Sequence, residues 1–517
     1  MINPRNNRTA PGVKPARSTK RPGHQAPLPV NPKAPSPDRP GRANSDNILS
    51  MCPPSALTRH AAFGRRGFLR AGIFGASSLL TLPGLLRAEA AAGIGSSRKA
   101  VINIHLDGGP PQMDLIDPKP DAPAEIRGEF ASIPTALPGV HVSELLPRLA
   151  RNAGRYALIR SLVGADGRHD AFQTQSGFKE KELASIGGRP ALGSVLGKLW
   201  GRPDEEAPVA VSLMQGRGLV RNSVRPGFLG VAHSVYRPDI RSIFPLTISS
   251  SMQSELLQRG GEAGDGLELT EGLSIQRLED RVALLRDLDA LRRDIDQSGS
   301  MAALDRFTQM SLHMLTSGRM AAALDLSREN PRVVERYLPR VVRPSEGDTM
   351  ESERGGLKFL LARRLIEAGV RCVSLSIGDF DTHTNNFSVL RYLGPLLDHA
   401  LDALVTDLEE RGMLKDVLIV VWGEFGRTPK INAKAGRDHW PAVGMALLAG
   451  GGMRTGQVIG STDRWAAEAV SRPVHYQDVF ATVYHHLGID LATVRISDPT
   501  GRPHALVDQG EVIRELI

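Results

Sequence analysis

The chain of 517 residues holds only two cysteines, Cys52 and Cys372. So few thiols exclude a disulfide framework as the device that holds the fold together. Aromatic residues are sparse at 5%, and no basic stripe interleaved with aromatics follows residue 90. That pattern excludes the usual nucleic-acid surfaces. Long apolar runs are missing too. The strongest, Ala71–Leu86, is short and rich in Gly and Ser, too weak for a good membrane span. Also absent are a P-loop, a strand-associated G-x-G-x-x-G and a G-x-S-x-G nucleophile elbow. The Gly-rich "LLAGGGMRTG" lacks the Lys-Ser/Thr ending of a phosphate cradle and reads as strand and turn.

What is present divides unevenly. The chain has 64 Lys+Arg and 56 Asp+Glu, a net charge of +8. Residues 1–90 carry 14 of the basic residues and three of the acids, which leaves 50 basic and 53 acidic residues beyond them. The high pI therefore belongs to the leader. Residues 1–64 are rich in Pro, Arg, Lys and Asn, with too few apolar side chains to offset ordering entropy. They read as a disordered extension, or as sequence upstream of a true start at Met51. Residues 65–92 resemble a twin-arginine export signal. Arg65 and Arg66 precede Phe68 and Leu69, an apolar stretch follows, and Ala88 and Ala90 form a small-x-small cleavage site. The expectation is a periplasmic or otherwise exported protein, met in transit by the twin-arginine translocase, with no stable span after cleavage. A thiol-poor chain that folds in the reducing cytoplasm suits that route.

Residues 93–517 are expected to form the working domain. "AVINIHL", "YALIRSLV", "APVAVSLM", "RCVSLSIG" and "DVLIVVWG" are β-branched, apolar strands. "LKFLLARRLIEAGV", "VLRYLGPLLDHALDALVTDLEERG" and "QDVFATVYHHLGI" have helical periodicity. Continuous apolar strands alternating with helices predict an α/β fold, a mostly parallel central sheet flanked by helices. Residues 270–345 read as an amphipathic helical insertion. In such sheets ligands sit beyond the carboxyl ends of the strands.

Those ends are rich in acids and imidazoles. Asp107 follows the first strand within "LDGGPPQMDLIDPKP" and either opens a turn with its two glycines or holds a ligand. Asp379, Asp381 and His383 follow "RCVSLSIG"; Glu424 and Arg427 follow "DVLIVVWG"; Asp438 and His439 follow in "GRDHWP". Carboxylates brought close together in a dry place require a cation. Asp, Glu and His from distant segments suit a divalent metal, zinc first, with manganese, magnesium or calcium as alternatives. Asp114 and Asp117, farther along the first loop, read as residues that order it or support the ligands.

"VINIHLDGG", "DFDTHTNNF", "DVLIVVWGEFGRTP" and "GRDHWP" together resemble a twin-arginine-exported, sulfatase-like family, domain of unknown function fifteen-oh-one, over roughly residues 65–510. That family is similar to the alkaline phosphatase and sulfatase superfamily. The resemblance implies an alkaline phosphatase-like fold and hydrolysis of phosphate or sulfate esters, small or polymeric. It implies metal ligands at Asp107, Asp381, His383, Glu424 and His439, with Asp438 serving instead of His439 or behind it. Phe425 stands where the superfamily often has a ligand His. No Cys-x-Pro-x-Arg sulfatase signature occurs, so the candidate catalytic groups lie in "GRHDAFQTQSGF". Thr174 and Ser176 are the hydroxyls, His169 is a ligand or acid–base group, and Arg427 or Arg437 is an anion-binding fork. The alternative is a non-catalytic sulfatase-like protein that binds an anionic polymer or a partner protein.

Overall fold

A computed structural model describes residues 99–202, 207–216, 218–241, 243–244, 318–341 and 351–517. The expected extension over 1–64, the export signal over 65–92, and residues 270–317 and 342–345 of the expected insertion lie outside them. The eight strands of the central sheet are β1 (Ala100–Leu106), β2 (Tyr156–Val163), β3 (Ala210–Leu213), β4 (Cys372–Ile377), β5 (Val417–Gly423), β6 (Gly444–Gly450), β7 (Gln457–Ile459) and β8 (Val474–His475). Their spatial order is β7-β2-β6-β5-β1-β4-β3, with β8 also paired to β2. Every pairing is parallel except the two made by β6, which runs against both β5 and β2. The fold is thus α/β with a mostly parallel sheet.

Helices cover both faces. They include α1 (Phe172–Ser176), α2 (Leu192–Trp200), α3 (Leu357–Glu367), α4 (Asn386–Glu410) and α5 (Tyr476–His486). Alternation along β1 sends Ile102, Ile104 and Leu106 into one core with α3 and α4. Val101 enters the other core with α2 and α5. β1 is buried along its whole length, as a central parallel strand must be. Its two polar residues, Asn103 and His105, share the Val101 face. Asn103 donates to Thr174 O (2.7 Å) and accepts from Trp422 Nε1 (2.8 Å). Ser374 Oγ donates to Gln175 Oε1 (2.8 Å). A polar seam thereby locks α1 onto the sheet.

Register carries the strand ends to one level. Leu106 lies opposite Ile377 of β4 and Gly423 of β5. The residues that follow three central strands therefore begin side by side. Between 318 and 341, where the insertion is described, Arg319–Leu324 and Pro331–Arg336 are helical. The Tyr337 hydroxyl and the Arg363 guanidinium both donate to Asp407 of α4, each at 2.9 Å.

Candidate metal centre

Among the described residues, two groups of His and carboxylate side chains bring ligand atoms within 4.8 Å of one another. One is His169, Asp381, His383 and His439. The other is His105, Asp107 and Glu424. Both lie at the carboxyl ends of β1, β4 and β5, with His105 still inside β1.

The local chain explains how they meet. Gly108 has φ +106°, and a Cβ there would lie 2.3 Å from Asp381 N. Glycine is required for this close approach. Gly108 N donates to Glu424 Oε1 (2.9 Å), and Phe380 N donates to Asp107 O (2.7 Å). These contacts tie the loops after the three strands together. The two-residue strand Gly426–Arg427 pairs antiparallel with His439–Trp440, so His439 lies opposite Arg427. The Tyr476 hydroxyl donates to the carbonyls of Gly423 and Glu424 (3.0 and 2.9 Å) and fixes the exit of β5.

Asp381 Oδ1 is the focus of the first group. His169 Nε2 lies 3.1 Å away, His383 Nε2 3.2 Å and His439 Nε2 3.8 Å. Four ligands placed tetrahedrally about 2.0–2.1 Å from zinc would be about 3.3 Å apart. The second group is deeper: His105 Nε2 lies 3.6 Å from Glu424 Oε2. His169 joins the two groups, since its Nδ1 lies 3.0 Å from Glu424 Oε1.

All four imidazoles follow one plan, with Nδ1 anchored and Nε2 aimed at a carboxylate. The Nδ1 partners are Thr174 Oγ1 for His105 (2.9 Å), Glu424 Oε1 for His169, Asp438 Oδ1 for His383 (2.6 Å) and Gly167 O for His439 (3.1 Å). A carbonyl only accepts, so His439 carries its hydrogen on Nδ1. Thr174 Oγ1 lies within hydrogen-bond reach of both His105 Nδ1 (2.9 Å) and Ala171 O (3.1 Å). In the neutral His439 ring Nε2 then presents a lone pair to a carboxylate oxygen. Two such acceptors repel unless a cation stands between them. This arrangement fits a divalent ion, because ligating histidines are normally oriented through the other ring nitrogen. Three imidazoles and one carboxylate suit zinc.

Burial and charge act in opposite directions here. Burial alone disfavours the charged form of His169. The hydrogen bonds to Asp381 and Glu424, and their charges, outweigh it and raise its pKa to about 9. His105 is lowered by burial, against the pull of Glu424 and with a further push from His169. Burial opposes the charge of Glu424, yet His169 and His105 hold its carboxyl below the usual range. The His383 contact lowers Asp438. At pH 7 the metal-free His169 therefore carries a proton that a cation must displace. Calorimetric zinc titration at pH 7 in buffers of different ionisation enthalpy is expected to report release of about one proton from this group, with affinity rising as pH approaches 9. A heat independent of the buffer would contradict this.

The sequence-derived candidates fall into place as follows. Asp381, His383 and His439 lie together with His169, and Asp107 and Glu424 lie together in the deeper group. Asp438 stands behind His383. Thr174 supports His105, while Ser176 Oγ donates to Phe172 O (2.7 Å). Both hydroxyls are thus engaged within the fold, Thr174 with His105 and Ala171 O and Ser176 with Phe172 O, rather than aimed at a reacting atom. Arg427 is fully buried and donates to Gly109 O (3.0 Å), Gly108 O, Arg437 O (2.9 Å) and Asp381 Oδ1 (2.7 Å). Arg437 is also buried, gripping Asp114 through two nitrogens (2.7 and 2.9 Å). These guanidinium groups hold the scaffold, and neither reaches out as an anion fork. Asp117 accepts from Lys119 Nζ (3.0 Å). His105 is the member that sequence reasoning missed. Its signal is the alternation of Asn103 and His105 with isoleucines inside a buried strand.

A family model described as "Protein of unknown function (DUF1501)" matches residues 98–517. No curated protein matches the chain. Solved structures similar to it include the PsFucS1 sulfatase from Pseudoalteromonas sp. (12% identity, 78% of this chain, 70% of that one, TM-score 0.31). Another is the C-terminal periplasmic domain of EcEptC from Escherichia coli in complex with Zn (8%, 80% and 87%, TM-score 0.33). A third is the phosphonate monoester hydrolase SpPMH from Silicibacter pomeroyi (12%, 76% and 74%, TM-score 0.28). At such scores no residue role transfers to this chain.

Proposed function

The chain belongs to the DUF1501 family, and from that premise and the centre described above we propose that it is a metal-dependent, sulfatase-like hydrolase of phosphate or sulfate esters. The observation that carries the reading is the common orientation of four imidazoles, each anchored at Nδ1 and presenting Nε2 to a carboxylate. His169, Asp381, His383 and His439 would hold one divalent cation, zinc by the donor set. Asp107, Glu424 and His105 would supply the deeper donors. A bound cation would polarise the ester oxygen and stabilise developing negative charge.

The chain's own groups do the rest by placement. Asp438 holds the His383 ring, Gly167 O holds His439, and Thr174 holds His105. Arg427 keeps Asp381 Oδ1 at the point where three rings converge. His169, between Asp381 and Glu424, would give up a ring proton to serve as a ligand. With Thr174 held between His105 and Ala171 O and Ser176 held to Phe172 O, attack by water fits better than attack by a side chain. His383 is the most open of the four rings, its side chain 43% exposed, so the anionic substrate would enter on its side.

The same committed hydroxyls favour one second reading: a site that binds an anionic ester or polymer without turning it over. Export through the twin-arginine route to the periplasm belongs to the proposal and rests on the Arg65–Arg66 leader. Among the described residues no helix is long and apolar enough to cross a membrane.

The test is metal analysis of the purified protein followed by a panel of phosphate monoesters, diesters, phosphonates and sulfate esters. Stoichiometric zinc with chelator-sensitive turnover is expected. Metal without turnover on any ester selects the binding reading, and neither metal nor turnover sinks both.

A further inference from the structure

The segment that delivers Asp381 is held from behind by two buried ions outside the cation site. β3 pairs with β4 only as far as Leu213 opposite Leu375. Beyond that point the next main-chain groups of the β4 segment on this side meet side chains. Lys358 Nζ, on the first turn of α3, donates to Ser376 O (3.1 Å). Gly378 N donates to Glu351 Oε2 (3.1 Å). The two side chains are themselves paired, with Lys358 Nζ 2.9 Å from Glu351 Oε1 and 3.0 Å from Oε2. Lys358 is 1% exposed and Glu351 2%. Opposite charges thus pin two main-chain groups two residues apart, where the sheet ladder has ended.

From Gly378 only three residues lead to Asp381, whose Oδ1 is the shared focus of His169, His383 and His439. Gly378 also lies against Asp107, with 3.6 Å from its Cβ position to Asp107 Cβ. One hydrogen bond therefore bears on both carboxylate-bearing loops. A buried ion pair is a poor source of stability, since apolar groups of similar volume often replace one at no loss. Its contacts here point to a different use.

We propose that Glu351 and Lys358 are positioning residues for the cation site: they extend the β4 ladder with side-chain charges and so set where Asp381 stands. The proposal rests on the metal reading above, and the experiment separates the two. The probe is cobalt(II), whose visible absorption reports coordination geometry, titrated into wild type, Glu351→Gln, and the double variant Glu351→Leu/Lys358→Met. The double variant leaves Ser376 O and Gly378 N without these partners, so it is expected to fold with reduced stability, to bind cobalt about 10–100-fold more weakly, as when outer partners of a metal site are lost, and to show an altered band. Glu351→Gln keeps an acceptor for Gly378 N and is expected to show a smaller loss.

A folded double variant with wild-type affinity and band overturns the proposal and leaves the metal reading standing. If the double variant does not fold, Glu351→Gln decides: weakened binding supports positioning, and unchanged binding and band overturn it. Wild-type protein that takes up no cobalt overturns the metal reading, and this proposal with it.

Discussion

Replacing His169 with alanine is expected to weaken cation binding by more than the 10–100-fold that loss of an outer partner causes, and to remove any turnover that depends on the ion. The His169 ring touches both groups of ligands. Its Nε2 lies 3.1 Å from Asp381 and its Nδ1 3.0 Å from Glu424. The substitution removes a donor and leaves two carboxylates facing each other across the space of a lost ring. In the metal-free protein it also removes the proton that neutralises them. His439→Ala, which deletes a donor 3.8 Å from Asp381 Oδ1, is expected to be milder. Competition against a chromophoric chelator measures both. Full-strength zinc binding by the His169→Ala protein would show that the outer group is not a metal site.

Arg427→Met is expected to destabilise the fold by about 3–5 kcal/mol, the range for breaking a buried charged network by removing one partner. The guanidinium is completely buried, and it donates to the carbonyls of Gly108, Gly109 and Arg437 and to Asp381. Methionine fills much of the volume but satisfies none of these acceptors, and each orphaned one adds a desolvation penalty. The comparison variant is Arg391→Met. Arg391 pairs with Glu129 (2.7 Å) with both side chains more than half exposed, and its loss should fall within about 0.5 kcal/mol. Urea unfolding reads both: a lower midpoint with an unchanged slope identifies lost stability. Equal midpoints for the two variants would remove Arg427 from its central place in the scaffold.

The sheet strands and the larger helices were legible because each is a local pattern. "DVLIVVWG" is apolar on both faces and can only be a buried strand, and the carboxylates at strand ends follow from the parallel arrangement. Direction was not legible for β6, since "GMALLAG" reads equally well either way. It runs antiparallel to both β5 and β2, a fact of long-range pairing. His105 was hidden for a related reason. A polar residue within a largely apolar strand looks like a tolerated exception until Thr174, 69 residues away, is seen to hold its Nδ1. Arg427 and Arg437 look like anion binders in sequence, because nothing local reveals that Asp114 and a set of loop carbonyls already occupy them. The hydroxyls of Thr174 and Ser176 were misleading in the same way, since His105 and the nearby carbonyls of Ala171 and Phe172 engage them.

The ligands come from five separate stretches, residues 105–107, 169, 381–383, 424 and 439, with Asp381 lying 212 positions after His169. No part of the chain holds this set before the sheet has closed, so a cation has little to grip in the unfolded protein. The ion is then chosen at the end of folding, from whatever pool surrounds the chain at that moment. On the export route proposed for this protein, which carries folded cargo, that moment falls in the cytoplasm. Which metal the exported protein contains would accordingly reflect the metal economy of the compartment where it folded rather than that of the compartment where it works.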